Sequence, residues 1–313
     1  MYAPRAATRR TPVSLVASFL ALFAWGGPGL AESPLDAAGC SISAATLALD
    51  GGTIHYSRSG QGTPVLLLHG LFAQKEQWHA VLCALAGQGY DAIAPDLPGF
   101  GQSTGFDVAA YDLGAQAERL RGFADGLKIG TFDLVGNSMG GTIAAIYAER
   151  YPKEVHRLAF IGPPLGVIAW GPRVRQAIEG GTNPFIPVDR AQFDMEMGIL
   201  FDSPPEVPAE IRDALIQSYT QYNRHYQQVW DIVNLYDTAL DKRPLDKPLD
   251  AKIPVLILWG EGDAVYPVDG AAKLQELLPG SRLVKLPGAG HLPMVERPAE
   301  TASYLVGFLR DAH

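Results

Sequence analysis

Short apolar runs alternate with longer amphipathic ones over most of this chain. Residues 65–69 (VLLLH), 91–94, 132–135, 158–161, 255–259 (VLILW) and 282–286 are brief, mostly apolar and bounded by turn residues, as strands buried on both faces are. Residues 46–49 and 53–57 flank Asp50-Gly51-Gly52 and predict an opening hairpin. Between these runs, residues 78–87, 112–127, 141–150, 270–278 and 298–312 carry apolar positions at helical spacing. Strands that alternate with helices in this way predict an α/β fold with a mostly parallel central sheet flanked by helices.

The alternation breaks between residues 165 and 250. Helix-like stretches at 173–179, 189–201 and 209–235 follow one another there, punctuated by Asn183-Pro184, Pro204-Pro205 and Pro244. No strand-like run intervenes. A helical insertion late in an α/β fold reads as a cap over the carboxyl ends of the strands, where open α/β sheets bind ligands. The expected organisation is therefore a core of residues 45–164 and 251–313, with a cap at 165–250. The cap is rich in large apolar side chains, among them Trp170, Phe185, Phe193, Met195, Met197, Phe201, Tyr219, Tyr222, Tyr226 and Trp230. At helical spacing most should pack internally, and a minority should face a cavity.

The first residues differ in kind. Arg5, Arg9 and Arg10 precede an apolar run at 13–25, and Gly26, Gly27, Pro28 and Gly29-Leu30-Ala31 follow it. The run is short of the ~20 residues of a membrane span. Residues 1–31 read as an export leader cut after Ala31, with an uncleaved N-terminal anchor as the alternative. Export would place the protein in a periplasmic or extracellular compartment, where Cys40 and Cys83 could pair. Two buried thiols are equally compatible with the spacing.

The 313 residues are 47% apolar and 19% charged, enough to bury a large core, and the net charge is −8. No basic run marks a nucleic-acid footprint. The acidic balance also argues against electrostatic attraction to anionic lipid.

Gly136-Asn137-Ser138-Met139-Gly140 is a G-x-S-x-G element set between an apolar strand (FDLV) and a helical run (GTIAAIYAER). In that context the serine sits on a strained strand-to-helix turn, and glycines on either side allow close backbone approach. A serine needs a base to take its proton. His291, in the loop Gly288-Ala289-Gly290-His291-Leu292-Pro293, is the candidate. Asp263, beyond the VLILW strand in Gly260-Glu261-Gly262-Asp263, is the candidate acid that orients it, with Glu261 as the rival. Two backbone N–H donors must receive the developing oxyanion. Met139, next after the serine, supplies one, and the segment after His69-Gly70 supplies the other, assigned to Leu71 ahead of Phe72. Gly99-Phe100-Gly101 does not extend into a nucleotide-binding pattern, and no His/Cys cluster has metal spacing, so no cofactor is expected.

With these pieces in place, the chain resembles the α/β-hydrolase superfamily from Leu47 to Leu309. LLLHGLFAQKEQW, DLPGFGQS, LVGNSMGG, PVLILWGEGD and GAGHLPMVERP carry the resemblance. Within it, the chain is similar to cap-bearing monoacylglycerol lipases and to bacterial membrane-associated lipases and phospholipases A. The resemblance implies hydrolysis of acyl esters, with Ser138, Asp263 and His291 as triad and Leu71 and Met139 at the oxyanion. It also implies a small acyl ester as substrate and contact with lipid at a membrane periphery. Carbon–carbon bond hydrolases of aromatic ring cleavage share GNSMGG but usually carry a tryptophan after the histidine, where this chain has Leu292. A non-catalytic binding protein on the same fold is the remaining alternative.

Overall fold

The computed structural model describes residues 40–234 and 249–311. The expected leader and part of the expected cap, including Pro244, lie outside the described residues.

The chain opens on a hairpin, β1 (Ser43–Leu49) and β2 (Gly52–Gly60), closed by the pair Leu49 and Gly52. It is longer at both ends than its apolar alternation predicts. Then follow β3 (Thr63–Leu68), α1 (His79–Ala86), β4 (Tyr90–Pro95), α2 (Leu113–Gly126), β5 (Phe132–Asn137), α3 (Met139–Arg150) and β6 (Val155–Ile161). Helices α4 (Pro172–Glu179), α5 (Arg190–Leu200), α6 (Ala209–Gln221) and α7 (Asn223–Val233) stand between β6 and β7 (Val255–Gly260). The chain closes with α8 (Asp269–Leu277), β8 (Arg282–Leu286), the short α9 (Pro293–Glu296) and α10 (Pro298–Arg310).

The strands form one eight-stranded sheet in the order β1-β2-β4-β3-β5-β6-β7-β8. β1 with β2 and β2 with β4 are antiparallel, and every other pair is parallel. Strands β4, β5 and β7 are buried along their whole length, which is why they read as continuous apolar runs rather than alternating ones. α1 packs with α10, and α2 with α3.

Several element ends shift by one to three residues, and two helix boundaries differ in ways that matter for the site. The predicted helix at 209–235 is two helices. Tyr222 leaves the helical conformation at φ −104°, ψ 18°, caps α6 through its N–H to Ser218 O, and starts α7 by accepting from His225. Apolar periodicity cannot register a one-residue bend. Helix α3 starts at Met139, not Gly141, because the serine turn hands the chain straight into it. The two cysteines are joined as Cys40–Cys83, with Cα atoms 5.5 Å apart, tying the segment before β1 to α1.

Candidate active site

Ser138 follows β5 at φ 53°, ψ −120°, a conformation that costs free energy for any residue with a Cβ. Close packing enforces it. A Cβ on Gly136 would lie 2.3 Å from Gly140 O, and one on Gly140 would lie 2.5 Å from Leu68 O. Both glycines of the motif are thus required by backbone crowding around the turn. The Ser138 N–H is held by Ile161 O at 2.9 Å, and its carbonyl starts α3. The side chain therefore stands at the positive end of that helix.

His291 and Asp263 arrive on the loops after β8 and β7, the next two strands of the sheet beyond β6. Their side chains are buried, and His291 Nδ1 lies 2.8 Å from Asp263 Oδ2. The other carboxylate oxygen accepts from the N–H groups of Val265 and Tyr266, each at 2.9 Å. An ionised carboxylate only accepts, so the imidazole proton sits on Nδ1 and Nε2 is left with a lone pair. Glu261 is exposed. Of the two acids weighed from the sequence, Asp263 is the one the fold brings to His291.

The backbone of the histidine is fixed as firmly as its ring. Its N–H donates to Leu200 O at 2.8 Å, and its carbonyl accepts from Asn137 Nδ2 at 3.2 Å. Glu296 accepts from Gly290 N at 2.7 Å and from Ser203 N at 2.8 Å. Asn137 also bonds Ile161 O, so it joins β5, β6 and the histidine loop.

The segment after β3 makes a tight turn, with Ala73 N–H on Gly70 O and Phe72 at φ 57°. His69 beneath it is fully buried. Its Nε2 accepts from Leu97 N–H at 3.0 Å, and its Nδ1–H faces Gly70 O at 2.8 Å. Burial lowers its pKa to about 4, so the ring stays neutral and keeps that tautomer. Asp96 braces the same segment, accepting from Lys75 N and Lys75 Nζ.

A narrow cavity brings these pieces together. Gly70, Leu71, Phe72, Ala73, Asn137, Ser138, His291 and Leu292 line it from the sheet side, with Val265. Trp170, Phe185, Glu196, Leu200 and Tyr219 line it from the helical insertion. Ser138, His291 and Leu71 thus share one cavity, and Asp263 stands behind His291. The Met139 side chain is buried, and what it can offer the site is its backbone N–H, the first of α3. Of the large insertion side chains, Trp170, Phe185 and Tyr219 reach the cavity wall, while Phe193, Met197, Phe201 and Tyr226 are buried.

Sequence reasoning missed Asn137, Gly162, Glu196 and Glu296. For Glu196 a signal existed: it lies three residues after Phe193 and four before Leu200, on the apolar face of its helix.

A serine on a strand-to-helix elbow, sharing a cavity over a mostly parallel sheet with a carboxylate-bound histidine, defines a class of hydrolases. The sequence matches the model of the alpha/beta hydrolase family over residues 65–304, and the chain belongs to that family. It is similar to Lipase 3 of Moraxella sp. (strain TA144), with 30% identity over 77% of this chain and 76% of that protein. It is also similar to the monoacylglycerol lipase ABHD6 of Mus musculus, with 29% identity over 82% and 78%. Among solved structures, a membrane phospholipase A described as a bacterial virulence factor superposes with a TM-score of 0.78. That pair shares 33% identity over 87% of each chain. A meta-cleavage product hydrolase from Pseudomonas fluorescens IP01 shares the fold, with a TM-score of 0.72 and 22% identity over 86% of this chain and 98% of that one.

Proposed function

We propose that this protein is a serine hydrolase of carboxylic esters, acting on acyl glycerides or lysophospholipids through Ser138, His291 and Asp263. The observation that carries the reading is the placement of Ser138 and His291 on one cavity, with His291 Nδ1 bonded to Asp263. Ser138 Oγ attacks the ester carbonyl carbon as its proton passes to His291 Nε2. The carbonyl oxygen becomes an oxyanion held by the N–H groups of Leu71 and Met139. Collapse of the tetrahedral intermediate breaks the C–O bond, and His291 returns the proton to the departing alcohol. Water then attacks the acyl-enzyme by the same route and releases the acid. Asp263 fixes the imidazole tautomer and stabilises the imidazolium, and takes no proton itself.

The four helices between β6 and β7 serve as the cap. The similarity to named lipases and to a phospholipase supports the substrate class, as do the aromatic walls that Trp170 and Phe185 contribute. Contact with lipid surfaces follows from that class. The protein is exported, with residues 1–31 as its leader. The Cys40–Cys83 pair supports this, since disulfides persist in oxidising compartments.

The deciding experiment is a panel of p-nitrophenyl esters, monoglycerides and lysophospholipids of graded chain length, run beside a ring-cleavage dienone. Ser138→Ala should lower kcat by a factor on the order of 10⁶ and abolish labelling by a fluorophosphonate. Strong turnover of the dienone with weak turnover of every ester would instead make the protein a carbon–carbon bond hydrolase. N-terminal sequencing of the mature protein tests export, and a start at Met1 or Tyr2 on membrane-bound protein would refute cleavage.

A further inference from the structure

The cavity over Ser138 is apolar over most of its wall, and besides Asn137, Ser138, His291 and Tyr219 it is lined by one carboxylic side chain. Glu196 lines it from α5, and only 2% of the residue is exposed. Its Oε1 accepts from the Tyr219 hydroxyl at 3.3 Å. Its Oε2 is buried with no hydrogen-bond partner among the described residues. A carboxyl group placed purely for packing would have both oxygens satisfied or would be replaced by an apolar side chain without loss.

Burial holds the Glu196 carboxyl well above the usual carboxylate range, and only the Tyr219 bond opposes this. Burial thus favours the protonated carboxyl, which has one O–H to donate. Since Oε1 is engaged as an acceptor, the proton belongs on Oε2. The cavity thus contains a buried donor that lacks an acceptor, beside a phenol oxygen that can still accept. A substrate hydroxyl answers both needs: its oxygen accepts from Oε2–H, and its own proton goes to the Tyr219 oxygen. An anionic group would meet no Lys or Arg among the described residues of this wall.

We propose that Glu196 and Tyr219 form a polar subsite that hydrogen-bonds a hydroxyl group of the ester substrate, so that the enzyme selects hydroxyl-bearing esters over their alkyl analogues. The proposal rests on the ester-hydrolase reading and names the substrate feature that reading leaves open. The hydroxyl could sit on the alcohol half or on the acyl half, and the test separates the two.

Values of kcat/KM are measured by pH-stat on the full chain with matched esters. Glyceryl monobutyrate is set against propyl butyrate, ethyl 3-hydroxybutyrate against ethyl butyrate, and butyrylcholine is added as a cationic arm. The wild type should favour one hydroxyl-bearing ester over its alkyl partner about tenfold or more, and the pair that shows it locates the hydroxyl. Glu196→Leu should collapse that ratio towards one. Glu196→Gln, which still donates and accepts, should keep most of it. Should Glu196→Leu fail to fold by circular dichroism, Tyr219→Phe decides, with an expected loss of threefold or more in the same ratio. A merely structural role would lower all esters alike, and that result overturns the proposal. So does a wild type that shows no hydroxyl preference, or one that prefers butyrylcholine and loses that preference in Glu196→Gln. Absence of turnover on every ester, with no fluorophosphonate labelling of Ser138, overturns the hydrolase reading and the subsite with it. Labelling and turnover without hydroxyl preference overturn the subsite alone.

Discussion

Gly162→Ala should slow catalysis by disturbing the histidine–aspartate pair from behind. Gly162 follows β6 at φ +55°, in the left-handed region, with its N–H on Leu258 O at 3.1 Å. A Cβ at that position would lie 3.1 Å from Asp263 Oδ2, 3.5 Å from His291 Nδ1 and 3.7 Å from His291 Cε1. Two costs follow. The left-handed conformation with a Cβ costs roughly 1–2 kcal/mol of stability. The approach to Oδ2 is also tighter than ordinary contact, so something must move by a few tenths of an ångström. Asp263 cannot simply retreat, because its other oxygen is held by two backbone N–H groups at 2.9 Å. The strain therefore falls on the 2.8 Å bond to His291. A misplacement of 1 Å in a catalytic group costs on the order of 10²-fold, so a few tenths should cost about tenfold in kcat. KM should change little, since Gly162 is absent from the cavity wall. The assay is kcat and KM for p-nitrophenyl butyrate, with thermal denaturation on the same samples. A Tm lower by roughly 2–8 °C should accompany the loss. A kcat within twofold of wild type, in a folded protein, would refute the claim that this close packing holds the pair. Gly307→Ala is the matched control: that glycine lies within α10 with nothing near its missing Cβ, and the substitution should raise stability by about 0.5–1 kcal/mol.

His291→Ala should remove nearly all activity, and Asp263→Asn should lower kcat by about 10⁴-fold, whereas Glu261→Gln on its exposed side chain should stay near wild type in steady-state assays. Silence at Asp263 with damage at Glu261 would reverse the assignment. Breaking Cys40–Cys83 by Cys83→Ala should cost up to about 4 kcal/mol for a closed loop of this length, read as a lower urea midpoint. A midpoint identical to wild type would show that the pair does not constrain the unfolded chain. Stability against pH between about pH 4.5 and 6 should reflect opposing shifts of buried groups. Burial lowers His69 and His79 to about 4, so the unfolded chain binds more protons there and stability rises with pH. Burial raises Glu76 to about 7 and Asp133 to about 6, and raises Glu196 as well, so the folded chain binds more protons there and stability falls with pH. Removing one histidine by His79→Gln should tilt the balance, so that urea stability declines as pH rises through this window. An upward tilt would contradict the sign.

The sheet and the turn that carries Ser138 were legible because both are written in local pattern. Strands β4, β5 and β7 are buried on both faces and so read as unbroken apolar runs. Gly136 and Gly140 are glycines because backbone atoms stand where their Cβ atoms would go, so the motif reports the turn directly. Asp263 was separable from Glu261 only by chain order, and its bond to His291 across 28 residues of sequence is a tertiary fact. Cys40 and Cys83 carried no geometry until β1 and α1 were placed. Asn137, Glu196 and Glu296 stayed hidden because each acts through partners far away in the chain. Asn137 reaches His291 O across 154 residues, and no local period encodes such a contact. The bend at Tyr222 escaped for the opposite reason, since it interrupts the helical period by a single residue.

These distant contacts alter what the helices between β6 and β7 contribute. A simple roof could be lifted without touching the chemistry beneath it. Here the last turn of α5 accepts from the histidine's own N–H through Leu200 O. Glu296, two residues before α10, holds Gly290 on one side of that histidine and Ser203, just past α5, on the other. A Cβ on Gly290 would lie 2.6 Å from Asp202 N, so the histidine loop and the end of α5 are in direct backbone contact. The segment that supplies Glu196 and Leu200 to the cavity wall is therefore the segment that fixes the backbone of His291. The cavity wall and the position of His291 are mechanically linked, and a substitution in α5 should be judged by its effect on kcat as well as on KM. That linkage also explains why Glu296 stands where it does: a carboxylate accepting from two loops is stronger and more directional than neutral bonds would be. It joins the insertion to the one loop of the sheet domain whose displacement would cost the most.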